Sequence, residues 1–156
     1  MSKLSIKATS RISLNTALLS IAIGVFFLTI NIRQELLYQK ILLAQLVVSI
    51  PLFLTSILAY SKVGYRRKIE KWNMLGWITF ILGYAFILNV IGILIGKFIS
   101  IDISIVFFAS SCILTLTYSY IEISYNKLAI KERIIKDSIF IATQLIFGLL
   151  VVLGLV

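Results

Sequence analysis

The chain has 156 residues, 60% of them hydrophobic and 13% charged, with mean hydropathy +1.07, a formal net charge of +9 and a pI near 9.9. That composition excludes an ordinary soluble domain. The lack of His and the single Cys, Cys112, exclude intrachain disulfides, His-ligated metals and haem, dithiol redox chemistry and the usual general base.

Charges fall in clusters that leave five long uncharged runs, and these are read as membrane spans. The first, 12–32, follows Lys3, Lys7 and Arg11. This basic start resembles a secretory signal, but the apolar stretch is too long for one and no small-residue cleavage site follows, so the segment is expected to stay as an anchor. Its non-greasy side carries Thr16, Ser20, Gly24 and Asn31. The second run, 41–61, carries Gln45, Ser49, Ser56 and Tyr60 on one side. Pro51, the only proline, frees the carbonyl of Val47 and predicts a static packing kink or, as the alternative, a functional hinge, with Ser49 and Thr55 at hand to bond the loosened backbone.

A basic connection follows, Tyr65-Arg66-Arg67-Lys68-Ile69-Glu70-Lys71-Trp72, in which Tyr65, Trp72 and later Trp77 suit an interfacial aromatic belt. Val63-Gly64-Tyr65 echoes a potassium filter but lacks the preceding Thr, the following Gly and a pore helix. The third run, 72–96, aligns Ala85, Asn89, Gly92 and Gly96, the last two forming a GxxxG. Only about six residues, 97–102, separate it from the fourth run, 103–121, so spans three and four are expected to form an antiparallel hairpin. The fourth carries Ser104, Ser111, Thr115, Tyr118 and Glu122. Residues 122–137 mix apolar and charged positions and read as an amphipathic surface helix or an extension of helix four. The fifth run, 138–156, follows Asp137 and carries Gln144 and Gly148.

A run of nineteen residues rises about 28 Å, close to the ~30 Å hydrocarbon thickness. Backbone amides in lipid must pair within their own segment, and no alternating ten-residue strands occur. The expected fold is therefore an all-α integral membrane protein, a bundle of five transmembrane helices forming a single polytopic domain, 1–156. With the N-terminus in the cytoplasm, twelve Lys and Arg fall on the inner side and only Arg33, Lys40 and Lys97 on the outer. The positive-inside rule then places the C-terminus outside, in a plasma or inner membrane.

The polar stripes are expected to face protein rather than lipid. Gln45, Asn89, Gly92, Gly96, Thr115 and Gln144 form either a helix-packing layer or a polar path. All six acids lie at span ends or in loops, so a mid-membrane carboxylate for ion coupling is missing. The basic loops, with Arg66, Arg67, Lys68, Lys71, Lys127, Lys131, Arg133 and Lys136, point to anionic lipid headgroups on the cytoplasmic side and not to nucleic acid, of which no module is recognisable. Glu122, Glu132 and Asp137 read as partners of the neighbouring cations, with Glu132-Lys136 in the favourable i, i+4 order. Ser110-Ser111-Cys112 has no base beside it to make a nucleophile. No catalytic, cofactor or metal site is expected. The favoured function is a non-enzymatic membrane subunit or interaction protein, partnered by a second copy or another membrane protein. The alternatives are a small oligomeric channel or transporter and, behind it, a lipid-active enzyme.

Overall fold

The computed structural model describes residues 3–31, 37–63, 69–125 and 130–155. These residues are all-helical or turn, with no strand among them. Helix α1 spans Lys3–Asn31, α2 Leu37–Val63, α3 Ile69–Phe98 and α4 Ile101–Tyr125. Helix α5 runs Ile130–Val152: it is α-helical over Ile130–Gln144, widens into a π turn over Leu145–Leu149 and closes with an α turn over Leu150–Val152. Each of the five is long and apolar enough to cross a bilayer.

The helices outrun the uncharged gaps at most of their ends. A charge gap marks only the apolar part of a helix, and the helix itself continues past it into turns whose charged side chains, such as Lys40, Lys62 and Glu70, are exposed. The largest difference lies in 122–137. Helix α4 takes the segment as far as Tyr125, and α5 begins at Ile130, eight residues ahead of the gap. Two i, i+4 ion pairs, Glu132 with Lys136 and Arg133 with Asp137, allow this charged turn to be helical.

Caps explain two boundaries. Ser100, the residue before α4, accepts the amide of Asp102 on its Oγ at 3.1 Å. At the end of α5, Gly154 has φ 68°, the amide of Leu155 donates to the Leu150 carbonyl at 3.0 Å and that of Gly154 to Val151 at 3.1 Å. This paired C-terminal stop needs a left-handed residue, which glycine supplies without strain. Only Ile99 and Ser100 connect α3 to α4, in keeping with the expected hairpin.

The chain divides into two compact units, Met1–Ile87 and Leu88–Val156, with α3 contributing to both. In the first, α1 packs on α2. Ala8, Asn15, Ala22 and Thr29 recur every seventh residue of α1, and Leu42, Ser49, Ser56 and Val63 do so on α2; all eight are buried. Seven-residue spacing is the period of shallow, left-handed helix crossing, and small side chains along it bring backbones close.

The polar side expected for α1 is not the side it buries. Thr16 and Ser20 are exposed, and a Cβ on Gly24 would meet nothing within 4 Å. The hydroxyls bond back along their own helix, Thr16 to Ile12 O at 3.0 Å and Ser20 to Thr16 O at 3.1 Å, so they need no partner helix and tolerate a lipid-facing position. Asn31's side chain lies outside the described residues. On α2 the expected side does face inward: Gln45, Ser49, Ser56 and Tyr60 are all buried. The helix continues through Pro51, and Ser49 Oγ donates to the carbonyl of Leu46 at 2.8 Å rather than to that of Val47. Trp77 is buried, not set in an outer belt, and Tyr65 lies outside the described residues.

Candidate functional site

In Leu88–Val156, the layer picked out in the sequence gathers where α3, α4 and α5 meet. Asn89, Ser104 and Gln144 are fully buried, and Phe108 is 2% exposed. Asn89 Nδ2 donates to the carbonyl of Thr143 on α5 at 3.1 Å. Ser104 Oγ donates to the carbonyl of Gly92 on α3 at 2.7 Å.

One turn beyond Ser104, the Phe108 ring lies directly on Gly92, where a Cβ would fall inside the ring's van der Waals envelope. From α5, Gly148 closes the other side: a Cβ there would come within 2.5 Å of Phe108 Cε1 and 2.6 Å of Asn89 Oδ1. The ring is thus held between two glycines, and the missing β-carbons are what admit it. Gly96 packs less tightly, its missing Cβ standing 3.1 Å from Val152 Cγ1 and 3.2 Å from Ser104 Cβ. Gly148 belongs to the π turn that follows Gln144, and the amide of Leu150 reaches back five residues to Leu145 O. Such wide turns are rare and often mark functional positions. The amide oxygen Asn89 Oδ1 has no hydrogen-bond donor among the described residues.

The same device occurs in the first unit. Ser56 Oγ donates to the carbonyl of Gly76 at 2.8 Å while the Tyr60 ring, one turn on, lies over Gly76; a Cβ there would be 3.0 Å from Tyr60 Cζ. Phe53 covers Gly83 likewise, at 3.1 Å from Cζ to the missing Cβ. A serine followed four residues later by an aromatic, on a helix facing a glycine, thus makes a hydroxyl bond and a ring contact to the same residue of α3. Tyr60 belongs to the side expected from the sequence, whereas Phe53 and Phe108 do not, because a phenylalanine carries no polar mark on an apolar helix. The spacing itself stands in the sequence at Ser56/Tyr60 and Ser104/Phe108, and again at Ser49/Phe53, where the ring covers Gly83 but the hydroxyl bonds to Leu46 on its own helix.

The remaining members of the layer are placed differently. Gln45 is 5% exposed and belongs to the first unit. Thr115 is partly buried and its Oγ1 bonds to Ser111 O on its own helix at 2.9 Å. Thr115 shares the second unit with Asn89, Gly92, Gly96 and Gln144, but only those four belong to the packed layer described above.

Among the basic residues expected to meet lipid, Arg66, Arg67, Lys68 and Lys127 lie outside the described residues. Lys71 and Lys131 are exposed. Arg133 is instead taken into the protein. Its side chain is 15% exposed, Nη1 lies 3.0 Å from Glu122 Oε2, Nε donates to Ser119 Oγ at 2.7 Å, Asp137 Oδ1 is 3.7 Å away and the Tyr118 ring centroid is 4.4 Å from Cζ. This guanidinium ties the last turns of α4 to the first turns of α5. Its charge is answered by two carboxylates, and Lys136 is paired with Glu132.

Among the described residues, no group of three His, Cys, Asp or Glu stands together as a metal would require. No protein family, curated protein or solved structure matches the chain.

Proposed function

We propose that this is a multi-pass protein of a plasma or inner membrane, N-terminus in the cytoplasm and C-terminus outside, serving as a non-enzymatic membrane subunit or interaction protein. The observation that carries the reading is the use made of the buried layer. The Asn89 and Ser104 donors are spent on carbonyls of neighbouring helices, and the Phe108 ring fills the space between Gly92 and Gly148. These are the contacts of helix association in lipid, where small residues and interhelical hydrogen bonds replace the hydrophobic effect. Around them the apolar side chains of α4, among them Val106, Leu114 and Tyr120, are exposed and would face hydrocarbon. What favours the second reading, a small channel or transporter, is Asn89 Oδ1, a buried acceptor within this layer that has no donor among the described residues.

Flux into liposomes separates the two. Protein reconstituted with monovalent cations, anions and a neutral solute should pass none of them above empty vesicles, and an Asn89→Leu/Gln144→Leu variant should behave identically. Sustained flux that this variant abolishes would replace the packing reading with the transport one.

A further inference from the structure

We infer that Arg11, held between α1, α2 and α3, is a binding site for the phosphate group of an anionic phospholipid. Arg11 is partly buried in the third turn of α1, at the end of the first unit where α2 finishes and α3 begins. Its Nη1 donates to Tyr60 Oη of α2 at 3.0 Å and to Asn73 Oδ1 of α3 at 3.1 Å, and its Cζ stands 4.9 Å from the Tyr60 ring centroid.

Every one of these partners is neutral. Among the described residues, no carboxylate lies within ion-pair distance of Arg11, whereas Arg133, the guanidinium of the other unit, has two. The sequence explains the difference. In residues 1–87 the only acids are Glu35, which follows the far end of α1, and Glu70, which is exposed in the first turn of α3. The sequence between α2 and α3, Gly64-Tyr65-Arg66-Arg67-Lys68, contains no acid. A guanidinium partly removed from water without an anion is an unbalanced charge, and an incoming anion relieves it.

The geometry selects the anion. A guanidinium has five N–H donors. Both bonds made to the described residues use Nη1, so among these residues Nε–H and the two Nη2 hydrogens are left over. Nε and Nη2 form one edge of the planar group, the fork that binds two oxygens of a phosphate side by side. Tyr60 and Asn73 hold the opposite corner and so aim this edge. The site lies one turn inside the apolar span Ala8–Ile30, the depth at which a lipid headgroup meets the helix end.

This inference rests on the membrane reading above, and the test keeps the two apart. Detergent-solubilised protein would be titrated with short-chain phosphatidylglycerol, with phosphatidylcholine and with inorganic phosphate, bound molecules being counted by native mass spectrometry. Wild type should prefer phosphatidylglycerol over phosphatidylcholine. Arg11→Gln should weaken phosphatidylglycerol binding about tenfold or more, while Lys97→Gln, an equal loss of charge at the other end of α3, should change it less than about twofold. Arg11→Lys keeps the charge without the fork and should stay several-fold weaker than wild type; it also serves if Arg11→Gln does not fold, as helical circular dichroism would show. Equal binding of the two lipids, or equal losses in Arg11→Gln and Lys97→Gln, would overturn the proposal. Inorganic phosphate binding as tightly as the lipid would overturn the lipid source and support a free phosphate. A chain that carbonate washing strips from membranes would defeat the membrane reading itself, which lipid titration does not touch.

Discussion

Replacing Gly92 by alanine should destabilise the protein by about 2 kcal/mol, measured by denaturant unfolding in mixed micelles. The new methyl enters the space of the Phe108 ring, and the ring cannot step aside because Gly148 presses on its other edge. Overpacking a closed core costs about 1–3 kcal/mol, and the better helix propensity of alanine returns at most ~1 kcal/mol in an exposed setting. If the ring is the cause, Phe108→Leu should absorb much of the loss: in that background Gly92→Ala should cost at least ~1 kcal/mol less than in the wild type. Gly24→Ala supplies the contrast. No atom stands within 4 Å of its missing Cβ, so this change should be neutral or stabilising. Equal costs at Gly92 and Gly24, or strict additivity of Gly92→Ala with Phe108→Leu, would contradict the clamp.

Removing the guanidinium of Arg133 should be comparably damaging. Arg133→Gln loses a charge-assisted hydrogen bond to Ser119, worth about 1.5–3 kcal/mol when formed by a charged group, and a cation–π contact with Tyr118 of about 1 kcal/mol. It also leaves Asp137, whose side chain is 13% exposed, without its nearest cation. Glu122 is 43% exposed and water screens its share. A net loss of about 2–3 kcal/mol is expected, with Arg133→Lys recovering part of it because a lysine restores charge but not the forked geometry. Lys136→Gln, which breaks the i, i+4 pair with the 52% exposed Glu132, should cost less, about 0.3–0.5 kcal/mol for that pair. Similar losses in the two variants would show that Arg133 is no more than another surface cation.

These two sites show unequal legibility in the sequence. The five helices could be placed because runs without charge leave little choice of structure in lipid. Asn89, Gly92, Gly96 and Gln144 could be singled out because polar and small residues are conspicuous on an apolar helix. Two kinds of information were not local. Thr16 and Ser20 are hydroxyl residues on an apolar helix just as Ser49 and Ser56 are, yet the first pair is exposed and the second buried, since a hydroxyl can be satisfied on its own helix and so says nothing about which face meets a neighbour. Phe108 has the same apolar character as the other residues of α4, and what sets it apart is the missing β-carbons of Gly92 and Gly148 on other helices. Arg11 and Arg133 illustrate the same limit for charge. Both are basic residues near span ends, and only the tertiary contacts separate a cation answered by Glu122 and Asp137 from one answered by Tyr60 and Asn73. The π turn at Leu145–Leu149 left no mark in composition that distinguishes it from an ordinary apolar helix.

The central claim is that lipid surrounds these helices and that the chain crosses it five times. Single cysteines placed at Ser2 and at Leu155, in a background where Cys112 is replaced by serine, report this when intact cells are exposed to a membrane-impermeant maleimide. An odd number of crossings with the N-terminus in the cytoplasm predicts labelling of Leu155→Cys in intact cells and of Ser2→Cys only after the membrane is opened. Labelling of both positions, or of neither, before the membrane is opened would contradict it.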